Sequence, residues 1–224
     1  MGRMLMNPIV FKIEKEYCEL FQETPLIIRS PGRVNLIGEH TDYNEGFVLP
    51  AAIDKAIYFA ITARDDEICS LYASDLKESY EFHLKEIRKS ELGWSNYLLG
   101  VVDQILKLGY TIKGFNCVFG GDIPIGAGLS SSAALEAGLA YGLNEINQLH
   151  INPMELVKLS QRAENEFVGV QCGIMDQMIN IFGRENQVLQ LDCRSLEYHY
   201  FPFESERIKI VLCDSQVQRE LGSS

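Results

Sequence analysis

Three short stretches of this 224-residue chain concentrate side chains able to do chemistry. The first, at 123–136, reads Ile-Pro-Ile-Gly-Ala-Gly-Leu-Ser-Ser-Ser-Ala-Ala-Leu-Glu. Gly126 and Gly128 lack Cβ atoms, so the backbone there can approach a ligand closely and adopt positive φ. The serines that follow open an Ala- and Leu-rich helical pattern. Its first N–H groups have no internal partners and sit at the positive end of the helix dipole. Together these features make a cradle for a phosphate group. A serine hydroxyl at the same place can also face a hydrated Mg²⁺, which prefers oxygen ligands. A plain glycine turn with a serine cap shares the Gly-X-Gly pattern. No Lys follows as in a Walker A loop, and the full GxGxxG fingerprint is missing, so the specificity lies in the longer run.

The second stretch, from Ser30 to Pro50, packs Arg33, Asn35, Glu39, His40, Thr41, Asp42 and Asn44 into twelve positions. Such a density of donors and acceptors suits a polyhydroxylated ligand, because each hydroxyl taken from water needs a new partner. Asp42 and Asn44 fit a solvated turn equally well. The third stretch runs from Ala163 to Gln177, with Asp176 among Cys172, Gly173, Ile174, Met175, Met178 and Ile179. If buried, that carboxylate needs an Arg, a metal or several N–H partners to stay ionised. Both Asp176 and Glu164 also fit solvent-facing helical positions.

The elements that must position these residues follow from periodicity. Strands are expected at 26–29 and 33–37, separated by a sharp break at Pro31-Gly32, and at 56–63, 68–73, 115–119, 187–192 and 208–213. Helices are expected over 14–21, 95–108 with Gly109 as its stop, 130–148 opened by serine caps, 152–167 and 173–182. Asn152-Pro153 is the pattern of a cap followed by a first helical proline. Strands early and helices later, without regular alternation, predict an α+β fold.

Composition bounds the rest. Hydrophobic residues make up 46% and charged residues 23%, which argues against disorder and against a simple coiled coil. Twenty basic against thirty-one acidic residues give a net charge of −11, which argues against a broad grip on nucleic acid. No apolar run suggests a membrane helix. Six cysteines without metal-ligand spacing read as reduced thiols, and the expected location is cytoplasmic. Met1-Gly2 lacks the Ser or Thr that myristoylation wants, since Met6 stands there.

The three stretches together resemble the galactokinase branch of the GHMP small-molecule kinases. Gly-Arg-Val-Asn-Leu-Ile-Gly-Glu-His-Thr-Asp-Tyr-Asn at 32–44 resembles the galactokinase signature, and Pro-Ile-Gly-Ala-Gly-Leu-Ser-Ser-Ser-Ala-Ala at 124–134 the superfamily's ATP-binding loop. Cys-Gly-Ile-Met-Asp-Gln at 172–177 resembles the stretch that holds the catalytic aspartate. The resemblance implies a GHMP-kinase N-terminal domain, an α+β fold with a mixed β-sheet and helices packed on one side. It implies that residues 1–205 form this sugar- and ATP-binding domain and that 206–224 begin a truncated C-terminal domain.

By the same resemblance, Glu39, His40 and Asp42 hold galactose hydroxyls, with Gly173 and Asp176 completing the sugar site. Asp176 orients the anomeric hydroxyl and accepts its proton, and Arg33 keeps Asp176 ionised and stabilises transferred charge. Gly126, Ala127, Gly128, Leu129, Ser130, Ser131 and Ser132 wrap the ATP phosphates, while Ser132 and Glu164 hold Mg²⁺. The implied reaction forms galactose 1-phosphate from D-galactose and ATP. Other readings stay open: a kinase for a related sugar such as N-acetylgalactosamine, a non-catalytic galactose- and ATP-binding regulator, and a fragment inactive alone. Galactokinases are longer and two-lobed, so an exposed interlobe surface is expected to favour self-association.

Overall fold

The computed structural model describes residues 7–124, 126–203, 210, 211 and 213. The chain begins with helix α1 (Pro8–Phe21), whose cap Asn7 accepts from Ile9 N–H ahead of a first-turn proline. Strand β1 (Leu26–Asn35) then leads through an irregular turn to the short β2 (Phe47–Val48) and the long β3 (Pro50–Ala63). Next come β4 (Ile68–Ala73), β5 (Glu78–His83), α2 (Gly93–Lys107), β6 (Phe115–Gly121) and α3 (Ser131–Ile146). The order ends with α4 (Pro153–Arg162), a π turn (Ala163–Val168), α5 (Met175–Phe182), β7 (Gln187–Asp192) and β8 (Tyr198–Pro202).

Five strands form a mixed sheet in the order β1-β3-β6-β4-β5. Only β4 and β6 run parallel; the other neighbours are antiparallel. Although β3 and β4 are joined by a tight connection, β6 lies between them. Alternation along β3 and β6 sends Phe59, Ile61, Phe115, Cys117 and Phe119 to the face covered by α2, α3 and α4. The intervening Ala56, Tyr58, Ala60 and Val118 meet Ile13 and Tyr17 of α1 on the opposite face. The mixed sheet with helices on one side therefore holds for α2, α3 and α4, and α1 adds a cover on the other side. A small antiparallel sheet, β2-β7-β8, packs with α5 around Val48, Met178, Leu189 and Leu191.

Two local expectations change. The break at Pro31-Gly32 is not a break: β1 continues through it, with its register to β3 shifting between Pro31 and Arg33. Proline is tolerated because β1 is an edge strand, where a missing N–H costs no ladder bond. The serine cap of α3 is also absent, since Ser130 makes no side-chain cap bond and takes left-handed φ 62°, ψ 47°. Other stops match: α2 ends with Gly109 N–H to Leu106 O at 2.9 Å and Tyr110 N–H to Ile105 O at 3.3 Å, the paired bonds of a Schellman motif. Asn152 caps α4 by accepting from Glu155 N–H, and the expected helix 152–167 continues beyond Arg162 as the π turn. Strands β2, β5 and β8 escaped the sequence pattern. The expected strand at 208–213 and segment 206–224 lie outside the described residues, apart from Ile210, Val211 and Cys213, as do Met1, Gly2 and Met6.

Candidate functional site

The bulge in β1 is where the site begins. Asn180 of α5 donates from its side-chain amide to Pro31 O, pinning the bulge against that helix. Arg33, two residues on, reaches Asp176 in the first turn of α5. Its Nε donates to Oδ1 at 2.7 Å and Nη2 to Oδ2 at 2.9 Å, a bidentate pair of charge-assisted bonds. Both side chains are mostly shielded, at 14% and 26% exposure, so the pair is less screened by water than a surface ion pair. This is the arginine partner that Asp176 needed. Ser130 adds a third donor, its hydroxyl bonding to Asp176 Oδ2.

The glycine-serine loop meets the same junction. Gly126 and Gly128 have φ of +77° and +71°, and a Cβ at either would meet nothing within 4 Å. Glycine is needed here for backbone conformation, not for packing. Arg33 holds the end of the loop by donating from Nη1 to Gly128 O at 2.5 Å and from its backbone N–H to Leu129 O at 3.2 Å. The Leu129 side chain is buried and Ala127 packs, partly buried, against the same cluster. Ser131 and Ser132 open α3 beside a cavity of about 340 Å³. Its other walls include Trp94, Tyr97, Phe119 and Leu135. These residues come from α2, β6 and α3, and no local signal marked them as a common site. Trp94 is fixed there by its indole N–H, which donates to Glu78 at 2.7 Å.

Behind the serines lies a buried acidic group. Glu164, on the π turn, is 3% exposed and Glu136, on α3, is fully buried. Burial pushes the Glu164 carboxyl above its ordinary range, with the Asp176 charge adding to that and hydrogen bonds from Cys172, Ser132 and Gln177 opposing it. Burial, then the neighbouring Glu164 charge, raises Glu136 well above the usual carboxyl range. Gln177 joins them, its amide donating to Glu164 at 2.9 Å and Glu136 at 3.4 Å. Ser132 and Glu164 thus stand side by side as oxygen donors. Glu136 was missed because in sequence it is one acid in an Ala-rich helix.

The turn between β1 and β2 holds the remaining candidates. Thr41 organises it, its hydroxyl lying 2.7 Å from both Gly38 O and Phe47 O. Glu39 accepts from Asn35 Nδ2 at 3.2 Å, and His40, at φ 63°, has Nδ1 2.5 Å from the Tyr43 hydroxyl. Both Glu39 and His40 are exposed. Asp42 turns inward, and a Cβ at Gly173 would lie 2.0 Å from its Oδ2. Only glycine lets the 172–177 segment approach that carboxylate. Burial raises the Asp42 carboxyl, Asp176 adds to the shift, and Arg33 opposes it. The structure therefore gathers Asp42, Gly173, Asp176 and Arg33 at one point, with Glu39 and His40 on the rim of the same turn.

Known proteins resemble this chain in sequence and in fold. The model described as "Galactokinase galactose-binding signature" matches residues 15–63, and "GHMP kinases N terminal domain" matches 96–184. The galactokinase of Roseiflexus sp. (strain RS-1) is 49% identical over 199 residues, covering 89% of this chain and 51% of that protein. The chain thus matches the galactokinase signature and the GHMP-kinase N-terminal domain together, and the relative it resembles over most of its length is a galactokinase. The galactokinase of Pyrococcus furiosus is 44% identical over 199 residues, covering 89% of this chain and 55% of its own length. Among solved structures, Lactococcus lactis galactokinase complexed with galactose superposes with a TM-score of 0.81 at 38% identity, over 87% of this chain and 52% of that one. Methanococcus jannaschii mevalonate kinase, at 23% identity and a TM-score of 0.67 over 83% of this chain and 58% of that one, shares the fold. The chain spans about half the length of the curated relatives it matches. Among the described residues no helix is long and apolar enough to cross a membrane.

Proposed function

We propose that this chain supplies the sugar- and nucleotide-binding lobe of a galactokinase, which transfers the γ-phosphoryl group of ATP to the anomeric hydroxyl of D-galactose. The observation that carries the reading is the bidentate Arg33–Asp176 pair, set between Asp42 and Gly173 on one side and the Gly128–Ser130 loop on the other. Phosphoryl transfer demands positioning and charge stabilisation more than covalent help from protein. Asp42, Glu39 and His40 bind sugar hydroxyls, and their spread along one turn suits a ligand with several hydroxyls. Asp176 orients the anomeric hydroxyl and accepts its proton as the new O–P bond forms and the bond to the ADP oxygen breaks.

The open Gly126–Gly128 backbone and the start of α3 bind the phosphates. The cavity walled by Trp94, Tyr97, Phe119 and Leu135 takes the nucleobase, an apolar, stacking surface beside the phosphate loop. Ser132 and Glu164 would hold Mg²⁺; their all-oxygen donor set fits it. Among the described residues no group of three or more His, Cys, Asp or Glu is placed to ligate a metal. Two protein oxygens suit an ion that keeps phosphate and water oxygens as its other ligands. Bound there, Mg²⁺ supplies charge neutralisation of the phosphates.

The test is a coupled ADP-release assay with a panel of sugars. It is run on this chain and on the chain joined to the remaining length its relatives carry. Release stimulated by galactose above glucose and N-acetylgalactosamine is the expected outcome. No sugar-stimulated release from either protein overturns the reading, and a stronger response to N-acetylgalactosamine replaces the substrate.

A further inference from the structure

Ser130 stands in a backbone conformation that a serine has no local reason to adopt. Its φ of 62° and ψ of 47° lie in the left-handed region, where a Cβ is disfavoured. The same loop places glycine at its other positive-φ positions, Gly126 and Gly128. A serine preceding a helix normally takes extended backbone and uses its oxygen to accept from an N–H of the first turn. Ser130 makes no such bond. Its hydroxyl donates instead to Asp176 Oδ2, across 46 residues of sequence. Persistent strain of this kind is held by the surrounding structure and clusters at functional sites.

The bonds around Asp176 are unequal. Oδ2 takes two donors, Ser130 Oγ and Arg33 Nη2, whereas Oδ1 takes one, Arg33 Nε at 2.7 Å. A carboxylate oxygen has about two lone-pair sites, so bonds from the described residues fill Oδ2 and leave one site of Oδ1. Three groups of the loop end, Gly128 O, Leu129 O and Ser130 Oγ, are tied to the Arg33–Asp176 pair.

We propose that Ser130 is a positioning residue, a latch whose hydroxyl occupies Asp176 Oδ2 and leaves Oδ1 as the oxygen that receives the proton of the sugar hydroxyl. The proposal rests on the kinase reading above. In the step it serves, the hydroxyl proton moves to Oδ1 while the sugar oxygen bonds to the γ-phosphorus and ADP departs with the broken bond's electron pair. The latch also couples the two substrates, because the loop that faces the phosphates ends in the side chain that holds the aspartate.

Ser130→Gly and Ser130→Ala separate this role from loop structure. Both remove the hydroxyl, but glycine relieves the left-handed strain. The glycine variant should therefore melt above the alanine variant, while both lose about tenfold or more in kcat. KM for ATP and for galactose should change less than about threefold, since misplacement at the reacting centre lowers kcat without removing ground-state contacts. Near-wild-type kcat in Ser130→Gly overturns the proposal, and so does a rise confined to the ATP KM. A double-mutant cycle of Ser130→Ala with Asp176→Ala, read as shifts in melting temperature, reports the contact without requiring turnover. Non-additive shifts are expected. Additive shifts in an active protein overturn the latch alone. Absence of sugar-dependent turnover in both the unsubstituted chain and its extended form overturns the kinase reading and, with it, the role in proton transfer.

Discussion

At the meeting of β1, α3 and α5, polar groups are bound to one another; on the 38–46 turn they are bound mainly to their own backbone. Arg33, Asp176, Ser130 and the Gly128 carbonyl form a closed set of contacts. On the turn, Thr41 bonds to Gly38 O and Phe47 O, and Asn44 to His40 O, while Glu39 and His40 face water. The first arrangement fixes a charge to within the tolerance that bond-making needs, at the cost of adaptability. The second displays several hydrogen-bonding groups on a scaffold that the proposed sugar would complete. Asp42 belongs to both, lying on the turn but half-buried against Gly173.

The sharpest way to break the contrast is Asp176→Asn. Losing the proposed proton acceptor from the fixed set should cut kcat by about a hundredfold or more, with ATP affinity retained, as measured by single-turnover kinetics and nucleotide titration. Turnover within a few-fold of wild type would place the essential base elsewhere. Gly173→Ala tests the hinge between the two regions. The added Cβ forces Asp42 aside, so the galactose KM should rise by about ten- to a hundredfold while the ATP KM stays close to its original value. Equal changes in both would show that the damage spreads into the phosphate loop.

The smallest expected effect concerns the buried acids behind the serines. Glu136 keeps its proton in the folded chain well above its ordinary value of 4.5, because burial and Glu164 disfavour the anion. The folded state then binds more protons than the unfolded one, so stability falls as pH rises above that ordinary value toward the folded one. Glu136→Gln removes the titration with little change of shape. The variant's melting temperature should gain on wild type by a few degrees between pH 5 and pH 8, at about 2–4 °C per kcal/mol. A gap between variant and wild type that ignores pH would mean that Glu136 is already ionised in the fold.

Much of the site was legible because its signals are local. Gly126 and Gly128 mark positive φ, and the cluster from Arg33 to Asn44 marks a polar turn whatever lies around it. Glu136, Gln177 and Trp94 carried no such mark. A buried acid in an Ala-rich helix, an amide after an aspartate and a lone tryptophan have the same neighbours whether or not they line a site. The bulge at Pro31 was hidden for a related reason. Proline and glycine read as a stop, and only the edge position of β1, with Asn180 bonding to Pro31 O, lets the strand pass through.

The sequence alone determined the types: a glycine loop before a helix, a donor-rich turn, an aspartate in apolar company, and the alternation that makes β3 and β6 two-faced. These depend on interactions within a few residues, where backbone sterics and side-chain spacing suffice. Tertiary structure decided the partnerships. Arg33 and Asp176 are 143 residues apart, and they meet because the β1 bulge and the start of α5 are pressed together across one core. It also decided that Ser130 turns its hydroxyl to the aspartate and not to its own helix. A helix cap is a short-range bond available to many serines; a charged acceptor brought close by packing is the stronger one, and it wins.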